Sequence, residues 1–291
     1  MTIQPDALVL PAFARSDYAG GPDAPDEIER WLRTYNFRET VSVPALAGPL
    51  RFDPEANLAL ARTGIGKAAA AATVGGLLAT DAVDLAGSLV ASVGIAGCPP
   101  AVGTVGSVFV ADRVVDWDLK HRLDGDVRPL VWRTGDYVWD LDADLVEQAA
   151  AAARGASLAD SASARSLRGR YEADPGVSAG HRRPSVGVGP TVCGDEVWHG
   201  GAAAQQVETL CDAYGVDGFV TTEMEDAGTA SALARADLLD RYVSVRAVSN
   251  FDRPPAGVEP GESFEWLDFE LGVENAFRAG RAVVEDLTGV E

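Results

Sequence analysis

The sequence predicts an α/β fold with three layers, in which helices cover both faces of a central mixed, mainly parallel sheet. Short, almost wholly apolar runs alternate with alanine-rich or amphipathic stretches of helical length, the pattern of strands buried on both faces. The hydrophobic fraction of 47% and the charged fraction of 23% are typical of a folded globular protein. No linker-like stretch divides the chain, so residues 1–291 are predicted to form one domain.

The predicted strands and helices alternate along the chain in the order that such a fold requires. Apolar runs predict strands over 7–13, 57–63, 88–97, 107–117, 186–194, 217–225 and 242–250. Helical patterns predict helices over 25–32, 67–83, 142–154, 201–214 and 228–240 and a terminal helix within 263–288. The segment 155–185 is rich in Ser, Gly, Pro and Arg, so we expect a loop or a mobile flap there.

The formal net charge of −20 is spread along the whole chain, which contains only two lysines, Lys67 and Lys120. Such a surface repels the phosphate backbone of nucleic acids, so we expect no nucleic-acid partner. An acidic, lysine-poor surface is typical of adaptation to a salty cytoplasm, where salt screens the repulsion between carboxylates. The charge itself indicates nothing about catalysis.

The three cysteines, Cys98, Cys193 and Cys211, lack the short spacing of zinc or redox motifs, so we expect reduced, mostly buried thiols and no metal site. The N-terminal stretch lacks the basic and apolar regions of a signal peptide. No run approaches the roughly 18 apolar residues that a bilayer span needs. We therefore expect a cytoplasmic protein without a membrane span.

The stretch TGIGKAAAA (63–71) places a glycine turn between a strand and a helix. Such a turn can present backbone N–H groups to an anion. Gly64, Gly66 and Ala69 also fit a loose dinucleotide-binding pattern, but Asp84 precedes the following strand instead of closing it, which disfavours a nicotinamide site. A third interpretation is that the glycines only allow close packing of the strand on the helix.

A second glycine turn, from Gly94 to Gly97, ends the apolar strand over 88–97. Turns at the carboxyl ends of strands are where open sheets bind ligands. The strand over 107–117 contains Asp116 near its end, and Asp118 follows. A metal pair is one interpretation, but without a nearby histidine or cysteine the pattern favours a solvated strand end.

Polar side chains end two further apolar strands. Glu223 and Glu225 end the strand over 217–225, and Asn250 and Asp252 follow VSVRAV at the end of the next strand. If these two strands are parallel neighbours, their polar ends converge on one edge of the sheet. The alternative is that these residues cap turns or helices, as Asp226 is placed to do. A buried carboxylate is unfavourable by several kcal/mol unless it is paired, which favours a functional role for Glu225.

These motifs, taken in order, resemble the nucleoside phosphorylase superfamily, which includes purine nucleoside phosphorylases and methylthioadenosine nucleosidases. The matching stretches are TGIGK (63–67), VGIAG (93–97), VGSVF (105–109), CGD (193–195), TEME (222–225) and VRAVSN (245–250). Within the superfamily the chain is most similar to the purine nucleoside permeases, through VVDWDLK, GDEVWHG, TTEMED and SNFDRPP. The resemblance spans residues 7–255 and implies the superfamily's αβα fold.

The resemblance implies a role for each strand end in binding a purine nucleoside. Glu225 would accept hydrogen bonds from the ribose hydroxyls, with Met224 packed under the sugar and Glu223 beside them. Asn250 would hydrogen-bond to the leaving base, which favours inosine or guanosine over adenosine, and Asp252 is the reserve acid. The remaining residues expected to contact substrate are Val197 or Trp198, stacked on the base, and Ser249, Gly94 and Ile95.

The resemblance is weakest for the group that attacks the ribose. The positions where related phosphorylases hold phosphate with Arg and Ser or Thr correspond here to Ser92 and Ile95. We expect no cofactor. If inorganic phosphate is the co-substrate, Arg15, Arg62, Arg253 or the turn at Gly64 and Gly66 would have to bind it. Alternatively, Glu27 or Asp17 activates water, which would make the protein a hydrolase.

The sequence therefore predicts cleavage of the N-glycosidic bond of purine nucleosides, by phosphate or by water. The alternative is a nucleoside-binding protein that assists transport without turnover. Members of the superfamily assemble as oligomers, so the resemblance also implies a homo-oligomer.

Overall fold

A mixed sheet at the centre of the protein brings the predicted strand ends together. The computed structural model describes residues 2–17, 24–44, 46–130, 137–174, 177 and 183–290. The strands are β1 (Ala7–Leu10), β2 (Glu39–Val41), β3 (Leu50–Asp53), β4 (Leu58–Leu60), β5 (Leu89–Cys98), β6 (Val108–Asp116), β7 (Lys120–Leu123), β8 (Asp126–Pro129), β9 (Val138–Asp140), β10 (Val186–Cys193), β11 (Thr221–Glu223) and β12 (Tyr242–Phe251).

The helices cover both faces of this sheet, as predicted. They are α1 (Glu29–Thr34), α2 (Lys67–Leu78), α3 (Ala143–Gly155), α4 (Ala162–Gly169), α5 (Gly201–Ala213), α6 (Asp226–Ala234), α7 (Pro260–Ser263) and α8 (Phe269–Thr288). Neighbouring residues of β5 show the two faces: Ser92 donates a hydrogen bond to Asp226 of α6, whereas Val93 contacts Gly280 of α8. The predicted three-layer αβα arrangement is therefore confirmed.

Among the described residues, ten strands form one sheet in the order β11, β10, β6, β12, β5, β1, β4, β3, β2, with β9 paired to β6. Strand β5 runs parallel to β1 and β12, and β10 runs parallel to β6 and β11. Strands β6 and β12 are antiparallel, so the sheet contains two parallel groups of opposite direction. Strands β7 and β8 form a separate hairpin.

The condition under which the ends of these two strands were expected to converge, that β11 and β12 are parallel neighbours, is not met, because β10 and β6 lie between them. Their ends nevertheless meet. Thr222 of β11 bridges to Gly97 of β5 in the antiparallel sense, and Asn250 of β12 pairs with the same Gly97 in the parallel sense. A Cβ atom at Gly97 would lie 2.9 Å from Thr222 Cγ2 and 3.3 Å from Asn250 Nδ2. The absence of a side chain at Gly97 therefore allows the two strand ends to approach each other.

Part of the segment 155–185 is helical and not a loop. Helix α4 begins after Ser161, whose hydroxyl accepts a hydrogen bond from the Ala164 N–H at 2.8 Å. Tyr171, after the helix, packs on Phe251 with ring centroids 4.3 Å apart. Serine is common both in loops and at helix caps, so the serine-rich composition alone did not distinguish a loop from the start of a helix. Residues 175–176 and 178–182, where a flap was also predicted, lie outside the described residues.

In the part of the chain that the structure describes, no helix is both long and apolar enough to cross a bilayer.

Candidate functional site

A cleft of about 250 Å³ lies where the ends of β5, β11 and β12 meet. Eight of the residues predicted to form the site line this cleft: Ile95, Val197, Trp198, Glu223, Met224, Glu225, Ser249 and Asn250. Glu27, one of the two candidate activators of water, lines it as well. Phe264 and Leu267, from the segment that joins β12 to α8, and Phe269, the first residue of α8, form the apolar wall of the cleft.

The carboxylate of Glu225 is held from two sides. Its Oε1 atom accepts a hydrogen bond from the Gly66 N–H at 3.1 Å, and its Oε2 atom lies 3.2 Å from Arg246 Nη1. Only 5% of Glu225 is exposed. Burial raises the pKa of this carboxyl, and the charge of Arg246 opposes the shift. Glu225 is therefore fixed in one orientation at the wall of the cleft.

Arg246 organises the acids at the end of β11 and the start of α6. This guanidinium is 2% exposed and also pairs with Glu223 at 3.0 Å and with Asp226. Asp226 is completely buried and accepts further hydrogen bonds from Ser92 (2.9 Å), Tyr242 (2.8 Å) and Ser244 (2.5 Å). Burial acts to raise the pKa of Asp226, but the charge of Arg246 and the hydrogen bonds from Arg246, Ser244 and Tyr242 outweigh it and hold this pKa below its usual value.

Glu223 orders the turn between β11 and α6. Its Oε2 atom accepts hydrogen bonds from the backbone N–H groups of Glu225 at 2.7 Å and Asp226 at 2.9 Å. Burial raises the pKa of Glu223, and the neighbouring charge of Asp226 raises it further. The carboxylate thus fixes the backbone that carries Glu225.

Glu27 is the second buried acid of the cleft. Its carboxylate accepts hydrogen bonds from the Ala12 N–H at 2.7 Å and the Ile95 N–H at 2.8 Å, so it joins the ends of β1 and β5. Burial, followed by the charge of Glu225, raises the pKa of Glu27 to about 7, against the opposing effect of Arg246. A carboxyl with this pKa can both accept and release a proton near neutral pH.

Asp17, the other candidate for activating water, is not at the cleft. Its carboxylate binds Arg62, with Arg62 Nη1 2.5 Å from Asp17 Oδ1. This pair also uses the charge of Arg62, which was one of the arginines considered for phosphate. Glu27 is therefore the candidate that the structure brings to the site.

The first glycine turn binds protein carboxylates. Gly64 and Gly66 adopt positive φ angles of 81° and 95°, which favour glycine. The Gly66 N–H donates to Glu225, as above, and the Lys67 N–H donates to Asp195 Oδ1 at 2.8 Å. These donors at the start of α2 are therefore already engaged within the protein, and the phosphate contact predicted for this turn would have to displace a carboxylate.

The amide of Asn250 is held by its chain neighbours. Ser249 Oγ donates to Asn250 Oδ1 at 2.8 Å, and Asn250 Nδ2 donates to the Phe251 carbonyl at 3.2 Å. Because the Phe251 carbonyl oxygen can only accept a hydrogen bond, the amide atom of Asn250 that faces it must be the donor, Nδ2. Each NH₂ group has two hydrogens, so one N–H of Asn250 stays available to a ligand.

The two residues predicted to stack on the base differ in their environment. Trp198 is half-buried and contacts Trp117 and Phe219 edge-on, with centroid distances of 6.1 Å and 6.3 Å. Val197 is 66% exposed at the mouth of the cleft. Trp198 is thus partly a core residue that presents one edge to the cleft.

Besides Asp17 and Arg62, five predicted residues do not line the cleft, and neither do the glycines of the first turn. Asp252 is 1% exposed and forms an ion pair with Arg253 Nε at 2.8 Å, so it is not placed as a reserve acid. Arg253 also pairs with Glu208, and Arg15 pairs with Glu29. Ser92 binds Asp226 and Arg246, and Gly94 lies behind the cleft, where a Cβ atom would be 2.6 Å from Glu27 Oε1.

The sequence interpretation missed two features of the site. It gave no role to Arg246, although an arginine inside the apolar run VSVRAV implies a buried charge that needs acidic partners. It also treated Asp116 and Asp118 as a solvated strand end. Asp116 is only 7% exposed, and both carboxylates bind Lys67 Nζ, at 2.7 Å and 2.9 Å.

The fold is shared with solved structures of a nucleosidase and a hydrolase. The protein superposes on a 5′-methylthioadenosine/S-adenosylhomocysteine nucleosidase from Neisseria meningitidis with a TM-score of 0.65, 19% identity and 99% coverage of both chains. It also superposes on futalosine hydrolase of Helicobacter pylori with a TM-score of 0.63, 16% identity and coverage of 97% of this chain and 98% of that one.

The chain belongs to the purine nucleoside permease family, whose model matches residues 4–138 and 132–289. A probable purine nucleoside permease of Schizosaccharomyces pombe is 27% identical over an alignment of 226 residues, with coverage of 66% of this chain and 63% of that relative. The chain thus aligns with less than two thirds of the length of this relative. The resemblance stated from the motifs is confirmed.

Proposed function

We propose that this protein hydrolyses the N-glycosidic bond of purine nucleosides, with Glu27 activating the attacking water. The observation that carries the proposal is the placement of Glu27, a buried carboxyl with a pKa near 7, in the same cleft as Glu225. The family and the nucleosidase fold support the same reaction class. The cytoplasmic location and the homo-oligomer remain predictions.

In this reaction Glu225 binds the ribose. Cleavage of an N-glycosidic bond builds positive charge on the sugar ring, and a fixed carboxylate beside the ring stabilises that charge. The hydrogen bond from Gly66 and the ion pair with Arg246 hold Glu225 in place before the substrate arrives. Met224, which also lines the cleft, provides an apolar surface for the sugar.

Glu27 takes a proton from water as the oxygen attacks C1′ and the N-glycosidic bond breaks. The purine leaves as its anion, and Glu27 then returns the proton through solvent to this base. Its two oxygens each accept one backbone N–H, which leaves lone pairs for the water. Among the described residues, neither a lysine nor an arginine lines the cleft. A phosphate ion there would meet carboxylates without a facing cation, so the electrostatics favour water as the attacking group.

The departing base is stabilised by Asn250. An amide cannot transfer a proton, but its free N–H can donate to the purine as negative charge develops on N7 and on an oxygen at position 6. This pattern supports inosine and guanosine as substrates in preference to adenosine, whose amino group offers a donor at position 6.

The proposal is tested by incubating the purified protein with inosine or guanosine, with and without phosphate. Chromatography then measures the free base and distinguishes ribose from ribose 1-phosphate. We expect release of the base and ribose without phosphate, and loss of this activity in Glu27→Gln. Release only with phosphate would establish phosphorolysis and contradict the role of Glu27.

A nucleoside-binding protein that assists transport is the second candidate, because both the family and the S. pombe relative carry the name permease. It would use the same cleft. Tight binding of inosine without release of hypoxanthine under any of these conditions would support this function and exclude hydrolysis.

A further inference from the structure

The start of helix α2 connects two walls of the cleft. The N–H of Gly66, the residue before the helix, donates to Glu225 on the ribose side at 3.1 Å. The next N–H, of Lys67, donates to Asp195 at 2.8 Å. Asp195 immediately precedes Glu196, Val197 and Trp198, which line the cleft on the base side. Two consecutive backbone donors thus hold segments that are far apart in the sequence.

A second set of contacts fixes Asp195 to the same helix through the Lys67 side chain. Lys67 Nζ lies 2.9 Å from Asp118 Oδ2, and that oxygen accepts the Asp195 N–H at 2.6 Å. Asp116 completes the pairing with Lys67 at 2.7 Å. Burial lowers the pKa of Lys67, but the hydrogen bonds to Asp116 and Asp118 outweigh this effect and raise it. Lys67 therefore stays charged. Both its backbone N–H, which donates to the Asp195 side chain, and its side chain, which pairs with the acceptor of the Asp195 N–H, connect α2 to the loop.

The contact between the glycine turn and the loop is also tight. A Cβ atom at Gly66 would lie 2.9 Å from Asp195 Oδ1. The residue before Asp195, Gly194, donates its N–H to the Glu223 carbonyl at 3.1 Å. A displacement of the loop after β10 must therefore move the turn that holds Glu225, or break these hydrogen bonds.

We propose that Asp195 and Lys67 are positioning residues that couple the base side of the cleft to its ribose side. Neither lines the cleft, so they act through the residues beside them. When a base orders residues 196–198, Asp195 holds the start of α2 in place and thereby the Gly66 N–H that orients Glu225. Binding of one half of a nucleoside should then strengthen binding of the other half. This inference rests on the proposed function for its assignment of the base and ribose sides.

The test measures the coupling without turnover. Hypoxanthine serves as the base, and 1,4-dideoxy-1,4-imino-D-ribitol, a cationic mimic of the ribosyl ring, serves as the sugar. Calorimetry gives the dissociation constant of hypoxanthine with and without saturating iminoribitol. Coupling between two sites typically changes an affinity about 5-fold or more, which is the effect expected for the native protein.

The variants separate positioning from a merely structural role. Asp195→Ala should bring the ratio of the two dissociation constants close to one. Asp195→Asn should retain part of the coupling, because an amide oxygen still accepts the Lys67 N–H. Asp212→Ala, an exposed aspartate in α5, is the matched control and should leave the ratio unchanged. Lys67→Met provides a second break of the connection if Asp195→Ala fails to fold.

A native ratio near one, or a ratio in Asp195→Ala equal to the native one, would overturn the inference. The proposed function is judged separately from the release of base from inosine. A protein that shows the coupling but no release retains the inference and loses the hydrolysis. A protein that hydrolyses inosine while Asp195→Ala keeps the full coupling retains the hydrolysis and loses the inference.

Discussion

Thr222 and Asn250 come from strands of opposite direction, and both pair with Gly97 of β5. This junction places the segment proposed to bind the ribose beside the residue proposed to bind the base. The two segments meet because β11 pairs with β10 and also bridges to β5 through Thr222. Gly97 is therefore the point at which a side chain would disturb both halves of the proposed site.

Gly97→Ala tests the junction. The new methyl group would lie 2.9 Å from Thr222 Cγ2 and 3.3 Å from Asn250 Nδ2, so both residues must shift. A displacement near 1 Å in such a site can lower turnover about 100-fold, and the shifts required here are smaller, so we expect kcat/KM for inosine to fall about 10-fold. Gly87→Ala, where a Cβ atom meets nothing within 4 Å, is the control. Equal activity of the two variants would contradict the proposed role of the junction.

Asn250→Ala tests the stabilisation of the leaving base. Loss of one hydrogen-bond donor to developing negative charge lowers kcat by about 100-fold to 1,000-fold. The melting temperature should change little, because Asn250 is half-buried and its hydrogen bonds are to its chain neighbours. Steady-state kinetics with inosine and a thermal melt give the two values. Unchanged turnover would reject the role of Asn250.

The pH profile of hydrolysis should report Glu27. Its pKa is raised to about 7, and only the ionised carboxylate can accept a proton from water. We therefore expect kcat/KM for inosine to rise with pH and to reach a plateau above this value. Glu27→Gln should lower kcat/KM by about 100-fold or more and remove this inflection. A profile that is flat from pH 5 to 9 in the native protein would be inconsistent with Glu27 as the base.

The same group should affect stability with the opposite trend. The folded protein holds a proton on Glu27 up to a pKa of about 7, whereas the unfolded chain releases it near the ordinary glutamate pKa of 4.5. The contribution of Glu27 to the free energy of unfolding is thus fully present below pH 4.5 and is lost as pH rises through the folded-state pKa of about 7. Between them the native protein should lose about 3 kcal/mol of unfolding free energy relative to Glu27→Gln. Urea unfolding at several pH values measures the difference, and parallel curves would refute it.

Arg246→Met should strongly destabilise the fold. The substitution leaves Glu223, Glu225 and Asp226 buried without their common cation, and removal of one partner of a buried ion pair costs about 3–5 kcal/mol. Arg122→Met is the control, because its ion pair with Glu196 is about half exposed and worth at most about 1 kcal/mol. Urea unfolding compares the two. Similar losses would show that the buried cluster does not depend on Arg246.

Much of the fold follows from local patterns. The apolar runs of β5 and β12 and the glycine turn before α2 are visible in the printed sequence, because burial on both faces requires continuous apolar residues. The hairpin of β7 and β8 was missed, since its residues KHRL and DVRP carry charges and lack an apolar run. Helix α4 was missed because its serines and arginines have the composition of a loop.

The sequence alone determined which side chains stand at the ends of buried strands, and it identified Glu225 and Asn250 for that reason. Only the tertiary structure decided which of them share a cleft. Asp252 follows Asn250 by two residues but pairs with Arg253, whereas Lys67 and Asp195, 128 residues apart, share a hydrogen bond. The physical reason is that the strength of a charge or a hydrogen bond depends on its burial and its partner, and both are set by contacts between distant segments.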